Sequence, residues 1–233
     1  MGSHRLPGKV LMPIGDQTML GHVVRRTRRA ESLDGVIVAT TLQPEDDAVV
    51  REAERLDAEV FRGSEDDVLD RFHGAARAFE LDAVVRITAD CPLIDPTIVD
   101  RVVAEFLGRS ADYASNALER TYPRGLDTEV ISAEALAAAW READRPRQRA
   151  HVTPFLYENP QRFRIVSVRA DQDRSHLRWT VDTAADLEAV RALVAQLGGG
   201  DGHDWRAAVE AAELRPELTA INREVRQKEL DEL

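Results

Sequence analysis

Hydrophobic and polar residues alternate along the chain in the way that short buried strands and amphipathic helices require. Two short runs, Gly35–Thr40 and Ala83–Ala89, are almost wholly apolar, which is typical of strands buried on both faces of a parallel sheet. In other segments, such as Thr18–Ser32 and Pro96–Leu107, apolar residues recur at helical spacing. The pattern therefore predicts an α/β fold.

The rest of the chain continues this alternation, with one turn-rich interruption at Asp112–Ile131 that we expect to be irregular. The further predicted elements are, in chain order, helix Pro44–Asp57, strand Glu59–Phe61, a helix with Ser64 as its N-cap, helices Ala133–Ala143 and Arg147–Tyr157, strands Phe163–Val168 and Leu177–Val181, a helix from a capping box at Thr183 and Asp186 to Leu197, and two short helices after Gly198–Gly202.

Strands that alternate with helices at this spacing imply right-handed crossovers and a mainly parallel sheet with helices on both faces. We predict one α/β domain over residues 1–233. Within it, residues 112–160 are expected to form a small inserted lobe, and residues 203–233 a helical C-terminal tail with a frayed, charged end.

Composition excludes several classes of protein. The chain has 233 residues with 31 basic and 42 acidic side chains, so its net charge is −11, whereas a general nucleic-acid binder needs a basic face. No apolar stretch approaches the ~18 residues that span a bilayer, and the N-terminus does not resemble a secretory signal. A single cysteine, Cys91, excludes an internal disulfide and a cysteine-built zinc site. We expect a cytoplasmic protein that binds no nucleic acid and does not insert into membranes.

Positive charge is concentrated at the start of this acidic chain. Four arginines crowd one predicted helix and are best explained as its solvated face: Arg25, Arg26, Arg28 and Arg29. Arg5 and Lys9 instead lie in a loop-forming segment with Gly2, Ser3 and Pro7, where glycine lets backbone N–H groups approach a phosphate. The segment is not a P-loop, because it has no Ser or Thr after the lysine. An ordinary turn explains it equally well.

Two carboxylates stand at the ends of predicted strands. Asp90 follows Ala83–Ala89 and Asp182 follows Leu177–Val181. Ligands of open α/β sheets bind beyond the carboxyl ends of the strands, and two carboxylates with substrate phosphates suit one magnesium ion. The alternative is that each aspartate caps the helix that follows it.

Six segments that occur in order along the chain resemble the motifs of one family. They are RLPGKVL (Arg5–Leu11), FRGSEDDVLDRF (Phe61–Phe72), VVRITADCPLIDP (Val84–Pro96), SNALERTYPRGLDTEV (Ser115–Val130), HVTP (His151–Pro154) and HLRWTVDT (His176–Thr183). Together they resemble the cytidylyltransferases that include spore-coat polysaccharide biosynthesis proteins, a family similar to the CMP-sialic acid and CMP-KDO synthetases.

The resemblance implies a Rossmann-like sheet of the nucleotide-diphospho-sugar transferase type and transfer of CMP from CTP to an acidic sugar or sugar phosphate, with release of pyrophosphate. It also implies a magnesium cofactor held by Asp90 and Asp182, a homodimer in contact through the 112–160 lobe, and a role in surface polysaccharide synthesis. The implied catalytic residues are Arg5, Lys9, Asp90 and Asp182. The implied nucleotide-binding residues are Gly2, Ser3, Arg5, Lys9 and Ser64. The implied acceptor-binding residues are Arg86, Arg124, Asp127, Glu129, His151 and Arg178.

Other chemically capable residues have plainer explanations. Cys91 precedes Pro92 in an apolar run and is expected to be a buried, inert thiol. For His151, a structural hydrogen bond and an acceptor-site role are equally good interpretations. We expect His22, His73 and His203 to lie at the surface or to serve packing.

The chain departs from the family pattern at its beginning. Family members usually run an apolar strand ending in Gln-Ala-Arg into the motif that here begins at Met1, and His4 stands where Thr or Ser is usual. We therefore expect a gap in the middle of the sheet and a natural start about ten residues upstream. The start Met-Gly-Ser-His also resembles the remnant of an expression tag. The alternative is that the flanking strands close the gap.

Two other functions remain open from the sequence. A glycosyltransferase that consumes a nucleotide sugar has similar strand-end aspartates but releases no pyrophosphate. A catalytically impaired nucleotide-binding partner protein would bind the nucleotide without turnover.

Overall fold

The computed structural model describes residues 5–227, which form eight strands and ten α-helices. The strands are β1 (Pro13–Ile14), β2 (Gln17–Thr18), β3 (Ile37–Thr41), β4 (Glu59–Gly63), β5 (Ala83–Arg86), β6 (Tyr113–Ser115), β7 (Glu129–Ser132) and β8 (Ile165–Ser167). The helices are α1 (Met19–Thr27), α2 (Asp47–Arg55), α3 (Val68–Ala78), α4 (Pro96–Gly108), α5 (Ala133–Glu142), α6 (Pro146–His151), α7 (Pro154–Tyr157), α8 (Ala184–Gln196), α9 (Trp205–Leu214) and α10 (Pro216–Ala220). None of the helices in this range is long and apolar enough to cross a bilayer.

The strands form two larger sheets and one short hairpin, β1–β2. Strands β3 and β4 pair in parallel, and a four-stranded sheet has the order β5, β7, β6, β8. Strands β6 and β8 are parallel, whereas β7 runs antiparallel to both of its neighbours. The predicted α/β class is confirmed, and β7 adds antiparallel pairing to the parallel pairs.

Helices cover both faces of the four-stranded sheet, and the alternation along β7 shows this directly. Val130 packs in one cluster with Val99 of α4, whereas Ile131 packs in another with Leu69 of α3 and Leu136 of α5. Successive side chains of a strand point to opposite faces. Each such aliphatic side chain contributes about 1.5–3 kcal/mol when it is fully buried.

The two larger sheets are not joined by strand pairing anywhere in residues 5–227. In this range β3 pairs only with β4 and β5 pairs only with β7, so each has one open edge. Ala89, just past β5, nevertheless packs against the same apolar cluster as Val38 of β3. The expected gap in the sheet is therefore present, and β3 and β5 do not close it.

The inserted lobe over residues 112–160 stays a prediction. Its segment Asp112–Ile131, predicted to be irregular, instead contains β6 and most of β7. These two strands lie in the middle of the four-stranded sheet, and Tyr113 and Ile131 share an apolar cluster with α3. The short strands escape a pattern-based prediction because each has only three or four residues.

Two further predictions are corrected. The segment Leu177–Val181 is extended but makes only a single bridge, Arg178 to Arg124, because its neighbour is the turn-rich loop with Pro123 and Gly125 rather than a strand. The single helix predicted over Arg147–Tyr157 is two helices, α6 and α7. Pro154 has no N–H to continue the hydrogen bonds of the preceding helix, and Val152, with a φ of 73°, has left the helical region.

The N-terminal caps of α3 and α8 are both predicted from the sequence. Ser64 is not the N-cap of α3, since Asp67 caps it, and the Ser64 hydroxyl accepts a hydrogen bond from the Asp67 N–H. The capping box of Thr183 and Asp186 at the start of α8 is confirmed.

The basic face predicted for α1 is wrong for Arg26. This side chain is 1% exposed, and its guanidinium donates to the carbonyl oxygens of Ile94 and His203 at 2.7 and 3.0 Å. Its neighbours Arg28 and Arg29 also donate to carbonyl groups. The helix therefore uses its arginines to bind backbone oxygens of the surrounding loops.

His22 is buried in the same network, which anchors the glycine-rich loop before α9. Its Nδ1 lies 2.6 Å from an Asp201 carboxylate oxygen, and its Nε2 lies 2.8 Å from the Ile14 carbonyl oxygen. Both partners are acceptors, so both ring nitrogens carry protons. Burial by itself lowers the pKa of His22, but the bonds to Asp201 and Ile14 outweigh it and raise the pKa above 6.5.

We expect His22→Gln to destabilise the protein more at pH 6 than at pH 9. A raised folded-state pKa gives stability that is complete below the ordinary value and is lost as pH rises through the folded-state value. At pH 6 the lost charged hydrogen bond costs about 1.5–3 kcal/mol. Urea unfolding of wild type, His22→Gln and the exposed control His176→Gln at both pH values measures this. Equal losses at the two pH values would show that His22 is not charged.

Candidate active site

Asp90 and Asp182 converge on one cation, the ammonium group of Lys9. Lys9 Nζ donates to Asp90 Oδ2 at 2.8 Å and to Asp182 Oδ1 at 3.0 Å, and also to the Val181 carbonyl oxygen at 2.7 Å. A backbone bond from Val181 N to the Asp90 carbonyl oxygen holds the two segments together. The structure thus brings together three of the four residues expected to be catalytic.

Neither aspartate caps a helix. The N-cap of α8 is Thr183, and the N-cap of α4 is Asp95. The Asp90 carboxylate instead accepts bonds from Lys9 and from the Thr88 hydroxyl, at 2.5 Å. The alternative explanation, that these carboxylates only satisfy helix ends, therefore does not fit.

The three charges stabilise one another in a largely buried place. Burial lowers the pKa of Lys9, but Asp90 and Asp182 outweigh this and hold it above its usual value. Burial raises the pKa of Asp90, but Lys9 and Thr88 outweigh this and hold it below its usual value. The contacts between Lys9 and Asp90 thus favour the charged form of both groups, so the site is arranged to hold charge.

The donor set fits a magnesium ion that is also bound by substrate phosphates. Asp90 and Asp182 offer oxygens already directed at one cation, and two carboxylates plus phosphates and waters are a common way to bind magnesium. Residues 5–227 contain no cluster of three or more His, Cys, Asp or Glu side chains that would form a complete protein cage.

Arg5, the fourth expected catalytic residue, also reaches Asp182. Arg5 Nη2 lies 3.1 Å from Asp182 Oδ2, and Arg178 Nη2 donates to the same oxygen at 2.8 Å. The cationic groups of Arg5 and Lys9 thus lie against the same carboxylate. This is suitable geometry for binding several phosphate oxygens.

The Arg178 guanidinium is bound by the buried carboxylate of Asp186, which the sequence predicts only as part of the capping box of α8. Asp186 is 0% exposed and accepts bonds from Arg178 Nε at 2.8 Å and from Asn222 Nδ2 at 2.9 Å. The same carboxylate accepts from the backbone N–H of Asp182 and of Thr183. Asp186 and Asn222 therefore fix the orientation of the Asp182 segment.

Three expected nucleotide-binding residues lie away from this cluster or outside the described range. Gly2 and Ser3 lie outside the described residues. Ser64 follows β4 in the two-stranded sheet, and its hydroxyl and carbonyl groups bind Asp67 and Arg71. Its role toward a nucleotide stays a prediction.

Arg86 and Glu129, both expected on the acceptor side, form a cross-strand ion pair between β5 and β7. Glu129 also accepts from the Tyr113 hydroxyl at 2.6 Å and from the Thr153 hydroxyl at 2.7 Å. Burial, reinforced by Glu129, raises the pKa of Tyr113 well above its usual value. The Glu129 carboxylate is thus fully engaged inside the protein.

Asp127 forms an ion pair with Arg120. Arg120 lies in the same motif, Ser115–Val130, but is not among the predicted site residues. The two Arg120 Nη atoms each donate to one Asp127 oxygen, at 2.5 and 2.7 Å. A planar guanidinium that binds both carboxylate oxygens is held in one orientation. No pattern in the sequence distinguishes Arg120 from the other surface arginines.

Arg124 lies between these charged groups and is the unpaired one. Its guanidinium forms no hydrogen bond or ion pair with any residue in the range 5–227. Burial and then the nearby Arg120 lower the pKa of Arg124, which means that the site would gain by binding an anion. Its role toward an acceptor stays a prediction.

Gly125 fixes the position of Arg124 against the extended segment that leads to Asp182. Arg124 N donates to Leu177 O at 2.9 Å, and Trp179 N donates to Arg124 O at 2.7 Å. Gly125 has a φ of 105°, and a Cβ there would lie 2.5 Å from Thr180 N. The close approach requires glycine.

Cys91 and His151 are the remaining candidates, and the Cys91 thiol donates to Asp90 Oδ1 at 3.6 Å. Cys91 is 2% exposed, and burial raises the pKa of its thiol well above the usual value, as expected of an inert residue. His151 ends α6 and is half-buried. Its acceptor role stays a prediction.

Known proteins resemble this chain over nearly its whole length. The sequence profile of the cytidylyltransferase family matches residues 1–207. An uncharacterized protein of Methanocaldococcus jannaschii is 37% identical over 234 residues, which cover 100% of this chain and 95% of the relative. The spore coat polysaccharide biosynthesis protein SpsF of Bacillus subtilis is 32% identical over 232 residues, which cover 96% of this chain and 91% of SpsF.

A solved structure is also similar to this chain over nearly its whole length. A cytidylyltransferase from Leptospira borgpetersenii superposes with a TM-score of 0.91 at 31% identity, covering 98% of this chain and 95% of that one. The similarity includes the segments that carry Lys9, Asp90 and Asp182.

Proposed function

Because this chain belongs to the cytidylyltransferase family, we propose that it transfers CMP from CTP to an acidic sugar or sugar-like acceptor and releases pyrophosphate. The observation that carries the proposal is the convergence of Asp90 and Asp182 on Lys9, with Arg5 against the same carboxylate. Pairing two carboxylates with two cations suits a nucleoside triphosphate and its metal better than it suits a neutral ligand. The product class is an activated sugar for surface polysaccharide synthesis.

Catalysis in this proposal is positioning together with charge stabilisation. The acceptor oxygen forms a bond to the α-phosphorus, the bond from that phosphorus to the bridging oxygen breaks, and pyrophosphate and a proton leave. Arg5 and Lys9 bind the phosphate oxygens and stabilise the charge that grows on the leaving pyrophosphate. No covalent intermediate with the protein is needed.

Magnesium would be held by Asp90 and Asp182. It would supply neutralisation of the phosphate charge during an in-line displacement. Arg178, fixed by Asp186 and Asn222, keeps the Asp182 carboxylate directed at that place.

On the acceptor side, Arg124 binds the anionic group of the sugar. It is half-buried and unpaired within the described residues, and an acid or phosphate group would supply the charge that its surroundings lack. Arg86, Asp127, Glu129 and His151 complete the proposed surroundings of the acceptor.

The function is tested by measuring pyrophosphate release from each of the four ribonucleoside triphosphates against a panel of acidic sugars and sugar phosphates. We expect release with CTP, dependent on magnesium and on one class of acid. A glycosyltransferase would release no pyrophosphate, and a non-catalytic nucleotide-binding protein would bind CTP without turnover.

We expect Lys9→Ala to weaken binding of CTP more than binding of CMP. The ammonium group would meet the terminal phosphates, and a charged hydrogen bond of this kind is worth about 1.5–3 kcal/mol. Calorimetric titration of both nucleotides into Lys9→Ala, with Arg51→Ala as an exposed control, measures the difference. Equal weakening of the two nucleotides would place Lys9 away from the terminal phosphates.

A further inference from the structure

A cavity of about 410 Å³ is lined in part by Arg178, the residue that donates to Asp182. Its walls are the segment 175–179, helix α8 and the C-terminal helices α9 and α10 with the residues that follow. Pockets for small molecules have volumes of about 300–1,000 Å³, so the space suits one sugar. Because Arg178 both lines the cavity and donates to Asp182, the cavity lies next to the pair formed by Asp90 and Asp182.

The cavity is positively charged, although the chain is acidic overall. Arg124, Arg178 and Arg223 line it, and no Asp or Glu residue is among its lining residues in the range 5–227. The charge of Arg178 is matched by Asp182 and Asp186. Arg124 and Arg223 form no ion pair with any residue of that range. The uncompensated charge favours an anionic ligand.

Apolar side chains also line the cavity, namely Leu177, Leu193 and Leu218 together with Trp179. A ligand that carried only hydroxyl groups would lose its water against them without gaining partners. A ligand with both an acidic group and an apolar substituent matches the two kinds of lining residue.

We propose that this cavity selects the acceptor. It would hold an acidic sugar by its anionic group at Arg124 and Arg223, with a deoxy, methyl or acyl substituent against Leu177, Leu193 and Leu218. That the bound sugar then accepts CMP rests on the proposed function. That an acidic sugar binds in the cavity does not depend on it. Leu218 and Arg223 lie beyond residue 207, where the match to the family profile ends, so the specificity element is separate from the family motifs.

Binding is tested first without nucleotide, by calorimetry with three probes. These are 2-acetamido-2-deoxyglucuronate, glucuronate, which lacks the acyl group, and N-acetylglucosamine, which lacks the acid. We expect the first to bind at least about tenfold more tightly than either of the others. Arg223→Ala should remove the advantage of the acid, and Leu218→Asn the advantage of the acyl group. Arg226→Ala, nearby but outside the cavity lining, should change neither.

Kinetics supply the second test once an acceptor supports pyrophosphate release. Arg223→Ala should raise the KM for the acceptor about tenfold or more, while kcat and the KM for CTP stay within about twofold of wild type. Unchanged acceptor KM in both variants, or equal binding or no binding of the three probes, overturns the proposal. If the probes bind as expected but no acid supports turnover, the cavity assignment stands and the proposed function fails.

Discussion

Turnover is expected to fall by about a hundredfold or more in both Asp90→Asn and Asp182→Asn, with the fold unchanged. Asparagine keeps the shape of each side chain and removes the charge that is directed at the shared cation. Because Lys9 contacts both carboxylates, either substitution also leaves the lysine with one carboxylate partner. Steady-state pyrophosphate release over a range of magnesium concentrations measures the effect.

The matched control is Asp34→Asn, an exposed aspartate away from the cluster. It should keep wild-type kinetics, and thermal unfolding should show all three variants folded. Near-normal magnesium-dependent turnover in either Asp90→Asn or Asp182→Asn would mean that the residue does not help to hold the metal.

The second large effect is expected on stability. Glu129→Ala should lower the free energy of unfolding by about 3–5 kcal/mol, because it leaves the buried guanidinium of Arg86 without a counter-charge. It also leaves the Tyr113 and Thr153 hydroxyl groups without their shared acceptor. Urea unfolding of wild type and variant measures the loss.

An exposed ion pair provides the comparison. Glu119 pairs with Arg169, and both side chains are more than 60% exposed, so Glu119→Ala should cost less than about 1 kcal/mol. Replacing both charges, with Arg86→Met and Glu129→Gln together, should recover much of the loss, since the unpaired charge is then gone. A cost for Glu129→Ala no larger than that for Glu119→Ala would contradict the assignment of a buried pair.

The carboxylates in these two predictions differ in their surroundings. The Asp90 and Asp182 side chains meet at Lys9, the first residue of a short 3₁₀ helix, and all three side chains remain partly exposed. The Glu129 carboxylate is bound by Arg86, Tyr113 and Thr153 inside the protein. In the proposed function, Glu129 therefore serves to hold Arg86 in place.

The sequence predicts the candidate site better than it predicts the sheet. Asp90 and Asp182 are identifiable because strand-end carboxylates have a general meaning in open α/β folds. β6 and β7 are not identifiable, because each is too short to show a periodic pattern and lies among turn residues. The antiparallel direction of β7 depends on packing between distant parts of the chain.

Burial of charged residues is the other feature that sequence patterns miss. Arg26 and His22 lie in an amphipathic helix, where arginine and histidine normally face water. Their burial is explained by acceptors in distant segments, which include Asp201 and the Ile94 carbonyl oxygen. The pairing of Arg120 with Asp127 and the position of Asn222 beside Asp186 likewise depend on contacts between distant segments. Such contacts decide that Arg124, which is half-buried, has no ion-pair partner among residues 5–227 while Arg120 and Arg178 beside it do.

The most direct test of CMP transfer follows the α-phosphate itself. CTP labelled at the α-phosphate and CTP labelled at the γ-phosphate are each incubated with the protein, magnesium and the panel of acidic sugars. The proposed reaction predicts that the α label appears in a product containing both cytidine and sugar, and that the γ label appears only in pyrophosphate. Recovery of the α label in CMP or unchanged CTP alone, with every acid tested, would contradict it.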